Sequence, residues 1–293
     1  MIGNTPTVRI TVPSLEPDMF VYGKIESKNP FGSIKDRASY YMLKGAVEKG
    51  QVKRGGAVVT ATSGNTGIAL AAIAPLLGLK CIVVMPETMS EERKRIIRGF
   101  GAKLVLTEGA KGMKGALDEA DLIVKENPGT FLIDQFANPD NPRAHYETTG
   151  PEIIKDVPDV SFVVSAIGSG GTISGLGRYF KENGMDVKMI GVEPEESPLI
   201  TKGYAKPHGI QGIGANFIPG TLDLSLLSTV RTVSTKSAID HARLLMKNGI
   251  FAGISSGAAV EVAIDIAREN RGRKVLAILP DTAERYLSGP LFE

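Results

Sequence analysis

Short runs of β-branched and other apolar residues alternate along the chain with longer stretches whose apolar positions recur every three or four residues. Gly or Pro punctuates the junctions. That alternation predicts strand–helix units wound around mostly parallel sheets. A first strand closes over residues 57–60, and the helix that opens near Thr66 carries Ile68, Ala69, Ala72 and Ile73 on one face before stopping near Gly78. The cycle continues as strand 81–85, helix 90–99, strand 103–106, helix 113–126 and strand 130–133. Beyond the turn-forming run Asn138-Pro139-Asp140-Asn141-Pro142, a second set holds helix 150–155, strand 162–166, helix 174–183, strand 188–192, helix 235–248, a helical segment 256–270 and strand 274–279. No repeat, low-complexity tract or flexible linker separates the two sets. The expectation is an α/β protein of two three-layer α/β/α domains, with a site in the cleft at the carboxyl ends of their strands.

Length and composition agree with this outline. A chain of 293 residues, 42% of them apolar, is long for one core. Its 34 basic and 32 acidic residues are interspersed and leave a net charge of +2, which argues against a nucleic-acid partner. The N-terminal residues lack the basic stretch and apolar core of a signal peptide, and no apolar run reaches membrane-span length, so a cytoplasmic protein is expected. Cys81, the one cysteine, sits in the apolar run 81–85 and reads as inert core. His145, His208 and His241 show no ligand spacing, so no metal site is expected. A nucleophile elbow is missing, and Cys81 has no neighbouring base, which disfavours hydrolysis.

Four segments carry candidate chemistry. In Asn29-Pro30-Phe31-Gly32-Ser33-Ile34-Lys35-Asp36-Arg37, Ser33 reads as an N-cap with Asp36 as its capping-box partner, which puts Lys35 in the first turn of a helix. A cation at the positive end of a helix dipole is held less firmly protonated, as suits a reactive amine; a solvated surface lysine is the plain alternative. Thr62-Ser63-Gly64-Asn65-Thr66-Gly67 is a polar turn between strand and helix, able to grip a carboxylate with N–H groups and hydroxyls, or merely to cap the helix. Gly168-Ser169-Gly170-Gly171-Thr172 follows a strand and precedes a helix, and its small residues let amides converge on a phosphate. A dinucleotide fingerprint would need a third glycine where Ile173 stands, although Glu193 ends the next strand as its ribose-binding acid would, so nicotinamide binding remains a weak rival. The fourth turn, Gly253-Ile254-Ser255-Ser256-Gly257, reads by itself as close packing.

Together these segments resemble the cysteine synthase (O-acetylserine sulfhydrylase) family, within fold type II of the enzymes dependent on pyridoxal 5'-phosphate (PLP). The likeness runs from Ile2-Gly3-Asn4-Thr5-Pro6 through the four turns, Gln135-Phe136 and Thr148-Thr149-Gly150-Pro151-Glu152 to Glu284-Arg285-Tyr286-Leu287-Ser288. The resemblance makes Lys35 the Schiff-base lysine and general base, and Asn65 the partner of the cofactor's ring hydroxyl. It makes Gly168, Ser169, Gly170, Gly171 and Thr172 the phosphate clamp, and sets Ser255 at the pyridine nitrogen. Thr62, Ser63, Asn65, Thr66 and Gln135 become the set that holds the substrate's α-carboxylate. It implies β-replacement of O-acetyl-L-serine by sulfide, giving L-cysteine by way of an α-aminoacrylate. O-phospho-L-serine is the second donor, disfavoured because the loop 203–220 has Lys206 and His208 but no arginine.

It also implies a tryptophan-synthase-β-like fold. Residues 36–140 would form a smaller mobile domain, and residues 1–35 with 141–293 a larger PLP-binding one. A homodimer, and serine acetyltransferase as a further partner, follow from the same likeness. Asp134-Gln135-Phe136 with Asn138-Pro139-Asp140-Asn141-Pro142 resembles the B type of cysteine synthase, whereas His208-Gly209-Ile210-Gln211-Gly212-Ile213-Gly214 and Gly170-Gly171 resemble the A type. Cystathionine β-synthase, serine/threonine dehydratase and a catalytically silent binding homologue are the rival functions.

Overall fold

The computed structural model describes residues 2–62 and 64–293; Ser63, assigned above to the carboxylate-binding set, lies outside them. The strands are β1 (Thr7–Arg9), β2 (Phe20–Ile25), β3 (Ala57–Ala61), β4 (Lys80–Pro86), β5 (Lys103–Thr107), β6 (Thr130–Leu132), β7 (Val160–Ala166), β8 (Lys188–Pro194), β9 (Thr229–Val233) and β10 (Lys274–Leu279). The α-helices are α1 (Lys35–Glu48), α2 (Asn65–Ile73), α3 (Glu91–Gly99), α4 (Gly112–Glu126), α5 (Asp140–Ala144), α6 (Gly150–Asp156), α7 (Gly171–Glu182), α8 (Leu199–Lys202), α9 (Thr235–Lys247) and α10 (Ile254–Glu269). A π-helical turn, His145–Thr149, joins α5 to α6. No helix among the described residues is long and apolar enough to cross a membrane.

Contacts divide the chain into two compact units, one of residues up to Ile34 with Pro142–Glu293, the other Lys35–Asn141. The second is built on a four-stranded, all-parallel sheet in the order β5-β4-β3-β6. Parallel strands need helical crossovers, and these cover both faces of the sheet. On one face Val59 and Val84 pack with Ala116 and Ala120 of α4. On the other, α2 lies so close that a Cβ on Gly67 would come 3.1 Å from Val83. Every residue of α2 from Thr66 to Ile73 is buried. The single apolar face expected of this helix is therefore corrected: it is apolar nearly all round because it is enclosed.

The larger unit carries a six-stranded sheet, β1-β2-β10-β7-β8-β9, parallel throughout except for β1 against β2. Successive residues of a strand point to opposite faces. Val164, Val275 and Ala277 accordingly join α9 and α10 in one core, while Val163, Leu276 and Ile278 join α6 and α7 in another. The result is a three-layer unit. Gly257 of α10 permits the tight crossing with α9, since a Cβ there would run into the backbone of Ala238 and Ala242. That fits the close-packing reading of this turn.

A buried polar network explains why segments far apart in sequence belong together. Lys24 on β2 is fully buried, and its Nζ lies 3.1 Å from Glu152, 3.0 Å from Asp156 and 2.7 Å from the Thr5 carbonyl. Glu152 also accepts from the N–H groups of Asn4 and Thr5, at 2.9 and 3.3 Å. Glu26, fully buried as well, takes the Thr5 hydroxyl at 2.7 Å and the Asn29 amide at 2.9 Å, and the Asn29 side-chain oxygen accepts from Gly3 N at 2.9 Å. A buried cation is tolerated only when paired and hydrogen-bonded. Removing one partner strands the others: Lys24→Met should cost about 3 kcal/mol of stability. The midpoint of urea unfolding measures it, and an unchanged midpoint would show the network to be energetically idle.

Candidate active site

In the unit Lys35–Asn141, the site residues gather where β3 runs into α2 and β6 into the following loop. Thr62 is buried just beyond β3, and its N–H extends the ladder to the Val84 carbonyl at 3.0 Å. Gly64 caps α2, Asn65 is the helix's first residue and Thr66 its second. The Thr66 hydroxyl donates to Gln135 Oε1 at 2.7 Å. Thr60 reinforces the same juncture by donating its hydroxyl to the Ile133 carbonyl at 3.0 Å. Thr62, Asn65, Thr66 and Gln135 are thus brought together at the start of one helix, whose first N–H groups have no acceptor within it.

Lys35 is the first residue of α1 and is half-buried. Just before it, Ser33 forms an isolated β-bridge with Asp281, and the N–H of Ile34 bonds the Pro280 carbonyl at 2.8 Å. The approach to Lys35 is also held by Arg285, which donates to the Phe31 carbonyl at 2.7 Å. Gly32 beside it has φ +86°, and a Cβ there would come 2.9 Å from Arg285 Nη2.

In the other unit, Gly168, Ser169 and Gly170 link β7 to α7, which starts at Gly171, three residues earlier than its sequence suggested. Its first internal bond runs from Ser174 N to Gly170 O at 3.1 Å, so the N–H groups of Gly171, Thr172 and Ile173 point out of the helix end. Gly170 is left-handed, at φ +83°, and a Cβ on it would lie 2.6 Å from Leu222 Cβ. A Cβ on Gly168 would strike the Gly212 carbonyl, and the Thr221 hydroxyl donates to the Ser169 carbonyl. The loop is therefore clasped from both sides.

Thr172 meets a residue that sequence reasoning set aside. His145 Nε2 lies 3.2 Å from the Thr172 hydroxyl, and its Nδ1 lies 2.9 Å from the Thr149 hydroxyl. His145 is buried on the π-turn, where Gly175 gives it room. With the proton on Nε2, His145 donates to Thr172 and leaves the threonine's own hydrogen for an anion. Ser255 occupies the first turn of α10, buried, behind the cap Gly253.

Two other groups are disposed of by their surroundings. Glu193 accepts from Ile200 N at 2.8 Å, from Thr201 N at 3.0 Å and from the Thr201 hydroxyl at 2.5 Å. Its carboxylate caps α8, so the ribose-binding reading fails. Burial pushes the Cys81 thiol up to about 12, which leaves it an inert thiol at neutral pH.

Residues 1–281 match the family of pyridoxal-phosphate dependent enzymes. The chain belongs to that family. Over its full length it is 46% identical to cysteine synthase B of Campylobacter jejuni, covering 97% of that protein. It is 48% identical to the cysteine synthase of Haemophilus influenzae, covering 96% of it. The crystal structure of cysteine synthase from Entamoeba histolytica superposes with a TM-score of 0.96 at 41% identity, over 99% of this chain and 88% of that one. These likenesses bear out the family, the fold type and the cofactor expected from the sequence.

The donor set fits this PLP enzyme's cofactor. A phosphate dianion needs several N–H groups and little side-chain bulk, which is what the loop 168–172 offers ahead of the 12-residue helix α7. Gly170→Ala should force an L-residue into a left-handed conformation against Leu222, at about 2 kcal/mol. A fall in Tm of roughly 5 °C by calorimetry is expected, and an unaltered Tm would mean that the loop yields without strain.

Proposed function

We propose that this protein is a cysteine synthase that replaces the acetoxy group of O-acetyl-L-serine with sulfide. The observation that carries the reading is the joint presence, in a chain matched over its full length by cysteine synthases, of Lys35 at a helix start, the polar turn into α2 bonded to Gln135, and the glycine loop before α7. Bound PLP supplies an electron sink that acidifies the substrate's α-C–H.

The chain's own residues divide the remaining work. Lys35 would hold the cofactor between turnovers, and its Nζ, when free, would remove the substrate's α-proton and later return one. Thr62, Ser63, Asn65, Thr66 and Gln135 bind the α-carboxylate, which fixes the α-C–H toward Lys35. Asn65 also contacts the cofactor's ring hydroxyl. Gly168, Ser169, Gly170, Gly171 and Thr172 hold the phosphate, with His145 orienting the Thr172 hydroxyl. Ser255 would offer the pyridine nitrogen a neutral hydroxyl in place of a carboxylate, which suits loss of the β-substituent. Acetate leaves before sulfide adds, so the kinetics are ping-pong.

A homodimer in the cytoplasm is the assembly proposed, with serine acetyltransferase as a partner. Residues 36–140 form the mobile smaller domain in this reading, and residues 1–35 with 141–293 the PLP-binding one.

Absorbance from about 300 to 550 nm tests the function, since the cofactor's electronics report each half-reaction. A visible band that shifts with O-acetylserine and returns on adding sulfide is expected. A band that responds to O-phosphoserine or serine alone would overturn the substrate. Lys35→Ala should lose both the resting band and turnover; full activity in that variant would remove Lys35 from the chemistry.

A further inference from the structure

The geometry points to Asn141 as a positioning residue that sets substrate affinity by fixing the main chain of Gln135. This inference rests on the proposed role of Gln135 in gripping the α-carboxylate.

The Thr66 hydroxyl has one hydrogen, and it goes to Gln135 Oε1 at 2.7 Å. The amide is thereby orientated: its oxygen is engaged and its NH2 end is the one left to donate to an anion. Where that NH2 group reaches depends on the backbone of Gln135, which lies beyond the end of β6 at Leu132 and outside the sheet ladder. Ile133 N makes the last bond to β3, to the Val59 carbonyl at 2.8 Å.

Asn141 supplies a restraint from the other side. It is buried, 2% exposed, and its Nδ2 donates to the Gln135 carbonyl at 2.7 Å. Asn141 is itself well anchored. Its N–H bonds the Asn138 carbonyl at 3.1 Å, and Asn138 Oδ1 takes Asp140 N at 2.9 Å. Asp140 is buried and paired with Lys49 at 2.6 Å, against Gly45 of α1, where any side chain would displace its carboxylate. A chain of fixed groups thus runs from α1 through Asp140 and Asn141 to the main chain of Gln135, all within the unit Lys35–Asn141.

A buried amide-to-carbonyl bond of this kind is worth a factor of about ten in affinity when the residue it orders makes the binding contact. The effect should fall on ligands with a carboxylate and spare the cofactor. Asn141→Leu keeps the approximate shape and removes the donor. L-alanine and L-alaninamide serve as probes, titrated into the PLP-loaded protein and read from its visible band.

Asn141→Leu is expected to weaken L-alanine about tenfold and to raise KM for O-acetylserine alike, with kcat, L-alaninamide affinity and the ligand-free spectrum unchanged. A double-mutant cycle with Gln135→Leu separates positioning from general support of the fold. In the Gln135→Leu background the Asn141 substitution should cost nothing further. An equal loss in both backgrounds, or an equal loss for L-alanine and L-alaninamide, would overturn the inference, as would unchanged L-alanine affinity in Asn141→Leu. If Gln135→Leu alone leaves L-alanine affinity untouched, the carboxylate role of Gln135 falls and this inference with it.

Discussion

A helix that springs directly from the carboxyl end of a parallel strand begins with N–H groups that have no acceptor of their own. That constraint is met at the turn from β3 into α2 and again at the turn from β7 into α7. A chain that must satisfy those groups with something can satisfy them with a ligand, and an anion also gains from the dipole. The sheet architecture therefore supplies two anion-receptive turns before any specialised side chain is considered. What the sequence adds is the selection of residues small or polar enough to leave them open: Gly64, Asn65 and Thr66 at one, Gly168, Gly170 and Gly171 at the other.

Openness needs support. The loop before α7 keeps its form because Gly168 lets the Gly212 carbonyl in close, Gly170 takes a left-handed conformation against Leu222, and Thr221 binds the Ser169 carbonyl. Behind it, Gly175 makes space for the π-turn that delivers His145 to Thr172. On α6, Glu152 and Asp156 pair with Lys24, and Glu152 accepts from Asn4 N, which ties this helix to the N-terminal residues. Each of these is a packing fact with a chemical consequence, since a phosphate-sized anion is held well only by donors that do not move.

Much of this was legible beforehand, for identifiable reasons. Strands β3, β4, β7, β8 and β10 stand out because enclosed parallel strands are near-continuous apolar runs; β5 and β6, at the edges of their sheet, stand out by apolar residues between turn signals. Strand β1 is three residues long, β2 carries the buried Lys24, and β9 has the half-exposed pattern of a sheet edge, so none offers that run. The π-turn at 145–149 has no composition of its own; its Tyr, Glu and Thr residues resemble any loop. Ser33 reads as a cap because its residue type is a common one there, and its backbone pairing with the distant Asp281 is what no local pattern announces. Glu193 shows the converse: a carboxylate at a strand end invites a ligand reading until its two oxygens are found to be occupied by α8.

Asn141 marks the limit of what a linear pattern reveals. Read along the chain it belongs to an Asn-Pro-Asp-Asn-Pro turn, where asparagine needs no further justification. Its reach back across six residues to the Gln135 carbonyl depends on how the loop closes, and that depends on Asp140 being held by Lys49 and by the bare backbone of Gly45. The residues with a recognisable chemical type, Lys35, Asn65, Thr66 and Gln135, could be picked out by type. The residues that make their geometry definite are ordinary Asn, Asp and Gly, and only the fold distinguishes them. Thr62, Asn65, Thr66 and Gln135 lie in the unit Lys35–Asn141, and residues 168–172 and Ser255 lie in the other. Asn141 bonds the first set through the Gln135 carbonyl, and His145 meets the second through the Thr172 hydroxyl.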